Sequence, residues 1–119
     1  MVDARGQRGR AGEDAALALY MRRGFTEVAR NWRCRAGEID IVVAREGLLV
    51  FSEVKTRGGS GFGGGYEAVT WEKQRKLRQL GELFLQASGA RPEAVRFDVA
   101  SVSVRPGRDP HVELFEDAF

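Results

Sequence analysis

The sequence predicts a single α/β domain with a mixed central sheet and the element order α-β-β-β-α-β-β. Three observations carry that expectation. Two segments place apolar residues at helical spacing, whereas five are short, β-branched and wholly or partly alternating. Apart from one glycine-rich stretch, the connections between them are brief. The 119 residues, 43% of them hydrophobic, suffice for one core but not for two, so the whole of 1–119 is read as one unit.

Residues 1–7 are polar and are expected to be flexible. From about Arg8 to Arg23, Ala11, Ala15, Ala16, Leu19 and Tyr20 follow a helical period. Arg22 and Arg23 suit the negative end of that helix, and Gly24 its C-terminal cap. A strand follows over Thr26 to Cys34. Two apolar runs flanking Glu46-Gly47 then read as a β-hairpin. Residues 58–65, GGSGFGGG, form a loop expected to be mobile. Thr70 is the N-cap of a second helix reaching about Ala87, with Trp71, Leu77, Leu80, Phe84 and Ala87 as its buried stripe. A strand over 95–104, a PGRD turn and a short strand HVELF complete the chain. The first three strands should form an antiparallel meander, and the second helix a crossover to a parallel neighbour.

Composition excludes several chemistries. One cysteine, Cys34, permits no internal disulfide and reads as a small buried residue. One cysteine and one histidine do not make a four-ligand zinc site, and any serine or cysteine triad would need His111. A bound metal would therefore be held mostly by oxygen, which points to Mg²⁺, Mn²⁺ or Ca²⁺. No apolar run approaches the roughly 18–20 residues of a membrane span, and the start lacks the apolar segment of a signal peptide. The expectation is a cytoplasmic protein without membrane partners. The net charge of +2 conceals an uneven pattern: residues 1–35 and 73–105 are basic, and 36–72 and 106–119 acidic. Basic flanks around a carboxylate-rich centre suit a polyanion.

The hairpin concentrates the chemistry. A two-residue loop at Glu46-Gly47 would set Asp40 opposite Glu53 and Glu38 opposite Lys55. Opposed residues share a face, with Cβ atoms about 4.5–5.5 Å apart. Such a cluster is either a solvated face or a site. Asp40 and Glu53 can bind Mg²⁺ or Mn²⁺, and Lys55 can stabilise charge on a phosphoryl group. That is the equipment of phosphodiester hydrolysis.

GEIDIVVA followed by FSEVKTR resembles the acidic and E-x-K elements of the PD-(D/E)xK, or restriction-endonuclease-like, superfamily. Through GRAGEDAA, ARNWRCRAGEIDIVV, FSEVKTR, AVTWEKQRKL, RFDV and the final EDAF, the chain more closely resembles the YraN family of small bacterial proteins. These stretches run across almost the whole sequence, and their ordered combination is far more specific than E-x-K alone. That family resembles archaeal Holliday-junction resolvases, and its members are described as predicted endonucleases. The resemblance implies a restriction-endonuclease-like core and a metal-dependent nuclease acting on DNA, branched or single-stranded. It implies catalytic roles for Glu13, Asp40, Glu53, Lys55 and Gln74, with Glu13, Asp40 and Glu53 holding Mg²⁺ or Mn²⁺.

Arg33, Arg35, Arg57 and Arg75 are the candidate nucleic-acid contacts. Any single one of them is more often a solvated surface residue. Glu13 alone could be a first-turn glutamate favoured by the helix dipole, and Glu38 a secondary member of the site. Trp32 and Trp71 could stack on bases, but their periodic positions favour core packing. Asp98 reads as structural, and His111 as the start of a strand. Gly59 to Gly64 formally match G-x-G-x-x-G, although no helix opens there as a dinucleotide site requires. A rival to the nuclease is a module of the same fold that binds nucleic acid or a partner without cutting. A homodimer is a further expectation, since junction cleavage needs two sites.

Overall fold

The computed structural model describes residues 4–58 and 70–119. Most of the expected glycine-rich loop, like residues 1–3, lies outside them. Seven elements follow in the predicted order: α1 (Ala4–Arg22), β1 (Thr26–Cys34), β2 (Gly37–Arg45), β3 (Leu48–Gly58), α2 (Trp71–Ser88), β4 (Ala94–Val104) and β5 (His111–Phe115). The five strands form one sheet in the order β1-β2-β3-β4-β5. β1, β2 and β3 are antiparallel neighbours, β3 and β4 run parallel, and β5 returns antiparallel. The mixed sheet and its single crossover are as expected, since parallel neighbours need a connection long enough to hold a helix.

α1 begins at Ala4, four residues before the expected Arg8. Glu13 is therefore in the middle of the helix, and no acidic residue occupies its first turn. The dipole reading of Glu13 falls with that boundary. The helix ends on Gly24, whose φ of 90° lies in the left-handed region open to glycine. Its inner stripe, Ala16, Leu17 and Tyr20, packs on one face of the sheet with Phe25, Ile41, Val43, Val50, Ala100 and Val102. Its backbone comes unusually close to β3: a Cβ on Gly12 would stand 2.0 Å from Thr56 Oγ1.

α2 covers the other face, where Leu80 and Phe84 pack on Ile39, Val42, Leu49 and Phe51. Thr70 caps it by accepting the Lys73 N–H at 3.1 Å, and Gly89, at φ 73°, closes it. The predicted stripe is wrong at both ends. Trp71 is 70% exposed, because nine residues at 100° each place it half a turn from Leu80. Ala87 is exposed in the last turn. Trp32 does join the core, edge-on to Phe84 at 5.3 Å. Cys34 is half-buried on the same cluster rather than enclosed.

Asp98 is 1% exposed and structural, as expected. It accepts the Tyr20 hydroxyl at 2.7 Å, Arg96 through two nitrogens at 2.9 and 3.0 Å, and the Asp117 N–H at 3.0 Å. Burial, reinforced by the Asp98 charge, pushes the Tyr20 phenol above its ordinary pKa, so it remains a donor. No helix among the described residues is long and apolar enough to cross a membrane.

Candidate metal centre

The β2–β3 hairpin turns through Glu46 and Gly47, both with positive φ (46° and 82°), as a type I′ turn requires. Arg45 pairs with Leu48, and the ladder continues to Ile41 opposite Ser52. It stops there. Asp40 and Glu53 would be the next pair, followed two steps later by Glu38 and Lys55, but neither pairing forms. Instead, Asp40 Oδ2 accepts the Val54 N–H at 2.8 Å. A side-chain carboxylate thus substitutes for a backbone carbonyl, and it marks the point where the two strands part.

β1 is irregular at the same level. Asn31 has φ 51°, in the left-handed region that asparagine tolerates better than most residues. Arg30 and Asn31 then both reach α1. Asn31 Nδ2 donates to Glu13 Oε1 at 3.0 Å, and Arg30 pairs with Glu13 at 3.5 Å and with Asp14. These contacts aim Glu13 at the fork between β2 and β3.

Glu13, Glu38 and Asp40 each offer an oxygen there, all within 4.8 Å of one another. Glu38 thus joins Glu13 and Asp40 in this cluster, which does not include the expected Glu53. Glu53 shares a cavity of about 170 Å³ with Glu38 and Asp40. Its side chain is 12% exposed, Oε1 pairs with Lys73 Nζ, and Oε2 is buried with no hydrogen-bond partner. Burial, and then the charges of Glu13, Glu53 and Glu38, raise the Asp40 carboxyl from 3.8 to about 6, against the opposing pull of the Val54 N–H. Like charges held this close repel one another.

Each of the four carboxylates has one oxygen engaged: Glu13 by Arg30 and Asn31, Glu38 by Arg33 at 3.0 Å, Asp40 by Val54 and Glu53 by Lys73. Among the buried oxygens of the described residues, Glu53 Oε2 is left without a partner. An all-oxygen set with a spare acceptor fits a hard divalent cation such as Mg²⁺ or Mn²⁺.

Lys55 lies two residues beyond Glu53 on the regular strand β3 and so shares its face. It is half-buried and does not line the cavity. Gln74 is half-buried in the first turn of α2 and likewise lies outside the lining. Lys73 and Lys76 do line it, with Leu77 and Leu80. Sequence reasoning missed both lysines, although positions 73, 76, 77 and 80 trace one stripe of the helix. Arg33 is exposed at the end of β1 and paired with Glu38, Arg35 is exposed just beyond that strand, and Arg75 is exposed on α2. Arg57 is half-buried on β3 and engaged by other groups.

Comparison with known proteins gives one consistent result. The family described as "Uncharacterised protein family UPF0102" matches residues 12–102. A UPF0102 protein of Rhodococcus jostii is 45% identical over 93% of this chain and 94% of its own length. One from Mycolicibacterium smegmatis is 46% identical over 91% and 89%. One from Symbiobacterium thermophilum is 46% identical over 93% and 94%.

Proposed function

The chain belongs to the UPF0102 (YraN) family, and on that premise we propose that it is a divalent-metal-dependent nuclease hydrolysing phosphodiester bonds in DNA, built on a restriction-endonuclease-like core. One observation carries the reading. Glu13, Glu38 and Asp40 converge from α1 and β2 at the fork where β2 and β3 separate, beside a Glu53 oxygen that is buried and unsatisfied. A solvated polar face does not bury an acceptor without a partner.

Glu13, Glu38 and Asp40 would hold Mg²⁺ or Mn²⁺, with Glu53 contributing from the cavity wall. Such an ion lowers the pKa of a coordinated water and offsets charge on a phosphoryl oxygen. The rest falls to the chain itself. The Val54 N–H fixes the orientation of Asp40, and Arg30 with Asn31 fixes Glu13. Lys73 and Lys76 present ammonium groups to the anionic substrate from the α2 wall. Lys55, on the same strand face as Glu53, supplies positive charge to the pentavalent transition state.

The test is cleavage of linear, branched and single-stranded DNA with and without Mg²⁺ or Mn²⁺. Ion-dependent cleavage lost in Asp40→Ala, Glu53→Ala and Lys55→Ala, with folding intact by circular dichroism, supports the reading. Cleavage retained in all three defeats it. A second reading is a binding module that does not cut. It draws on the Lys73–Glu53 pair, which already neutralises one carboxylate without a metal. Calorimetric titration separates the two: a nuclease binds the divalent ion, and the pure binding module does not.

A further inference from the structure

Among the described residues, Trp71 is the most exposed of the large hydrophobics, at 70%. Exposing an indole forgoes more burial than exposing almost any other side chain. Its position explains why the fold makes no use of it, since it lies half a turn from Leu80, the residue that docks α2 on the sheet. Its surroundings point to a use outside the fold. Arg75 is one turn further on the same side of the helix, where side chains four apart are neighbours. Glu72, Arg75, Lys76 and Gln79 line a surface groove of about 380 Å³. Lys76 also lines the carboxylate cavity, together with Lys73. Lys73, Lys76 and Arg75 therefore lead from the carboxylates round the first two turns of α2 to the side that carries Trp71, with Glu72 as the acidic residue of the groove.

We propose that this end of α2 is a platform for single-stranded nucleic acid. An unpaired base stacks on the Trp71 indole, and the adjoining phosphates contact Arg75, Lys76 and Lys73. Paired bases in a duplex have their faces covered by their neighbours, so an exposed aromatic selects a strand whose bases are free. The basic groove suits the backbone of that strand, which argues for nucleic acid over an apolar protein segment. The inference rests on the nuclease reading for what happens to the strand, but not for the binding itself.

The experiment measures binding of a labelled oligothymidylate to the full chain by fluorescence anisotropy. EDTA is present so that no cleavage intervenes, and tryptophan emission is followed in parallel. Base stacking on an aromatic residue is worth enough that Trp71→Ala should weaken single-strand binding roughly 5- to 150-fold. The same substitution should leave binding of a duplex within about twofold. Trp71→Phe should restore most of the affinity while abolishing the quenching of emission that the oligonucleotide causes in the unsubstituted protein. Because the readout in EDTA is binding alone, a chain that binds the oligonucleotide through Trp71 yet cuts no DNA with Mg²⁺ or Mn²⁺ would defeat the nuclease assignment and leave this platform standing. The proposal is overturned if the unsubstituted chain does not bind the oligonucleotide. Unchanged affinity in Trp71→Ala, or equal loss for single strand and duplex, overturns it as well.

Discussion

The two ends of the β2–β3 hairpin are made from the same strands and do opposite things. At the closed end, from Ile41–Ser52 to the turn, the ladder is regular and Ile41, Val42, Val43, Val50 and Phe51 are at most 3% exposed. At the open end the ladder lapses, and its groups are turned toward Asp40, Glu38 and Glu53. The closed end gains stability from apolar burial. The open end gives up backbone pairing and gathers like charges. The hairpin teaches that a site can be built by ending a sheet locally, provided a side chain satisfies the backbone donor left behind.

Four predictions would break or sharpen that contrast. The largest effect belongs to the closed end. Phe51 contacts Phe84 and Phe97 at ring distances of 5.7 and 5.4 Å, so Phe51→Ala should cost about 3–5 kcal/mol in urea unfolding. A cost under about 1 kcal/mol would mean that this half is not the core. At the open end, Asp40→Asn keeps an acceptor for Val54 but removes a charge. Cleavage should fall by about 100-fold or more, with no drop in melting temperature. A variant that melts lower while still cutting would reverse the assignment of the two ends.

The third prediction concerns pH in the metal-free chain. The folded state holds the Asp40 proton to about pH 6, against an ordinary value of 3.8. The folded chain thus binds more protons than the unfolded chain in that interval. The contribution is fully present below about pH 4 and is lost as pH rises through 6, amounting to at most about 3 kcal/mol. Asp40→Asn should remove this slope, and Mg²⁺ or Mn²⁺ should restore stability above pH 6. Identical pH profiles for the two proteins would show that Asp40 is not under charge stress. The smallest effect lies at the turn. Glu46 is a non-glycine residue at φ 46°, and asparagine is better suited there, so Glu46→Asn should stabilise by about 0.5–1 kcal/mol. No gain would show that the turn is not limiting.

The contrast also divides what was legible in the sequence from what was not. Glu46-Gly47 located the turn and, with it, the register of every pair up to Ile41–Ser52, because turn length fixes hairpin register. β1, β5 and the crossover helix followed from pattern and caps. Beyond Ser52 the same register misleads. Alternation presumes that the ladder continues, and nothing in the residue types announces that Asp40 will replace a backbone carbonyl. The left-handed Asn31 and the unpaired Val28 at the bulge of β1, 45% exposed, are likewise local geometries that period counting does not detect. Glu38 was seen beside Asp40 but ranked below Glu53, since its approach to Glu13 depends on how α1 docks. Lys73 and Lys76 were readable, because they occupy the same stripe as Leu77 and Leu80. Trp71 was misread by counting an apolar residue into a stripe without checking its angle.

The close approach of Gly12 to Thr56 would bear on the affinity of the proposed metal centre. Glu13 reaches the fork from a different layer of the molecule than Glu38 and Asp40, so the spacing of the set depends on the gap between helix and sheet. That gap is governed at this point by a missing methyl group. Placing one there would bring carbon to 2.0 Å from Thr56 Oγ1, so either Thr56 or α1 would have to give way. Gly12 thus acts as a spacer gauge: at the proposed metal centre its size would decide whether three carboxylates behave as one ligand or as three separate charges.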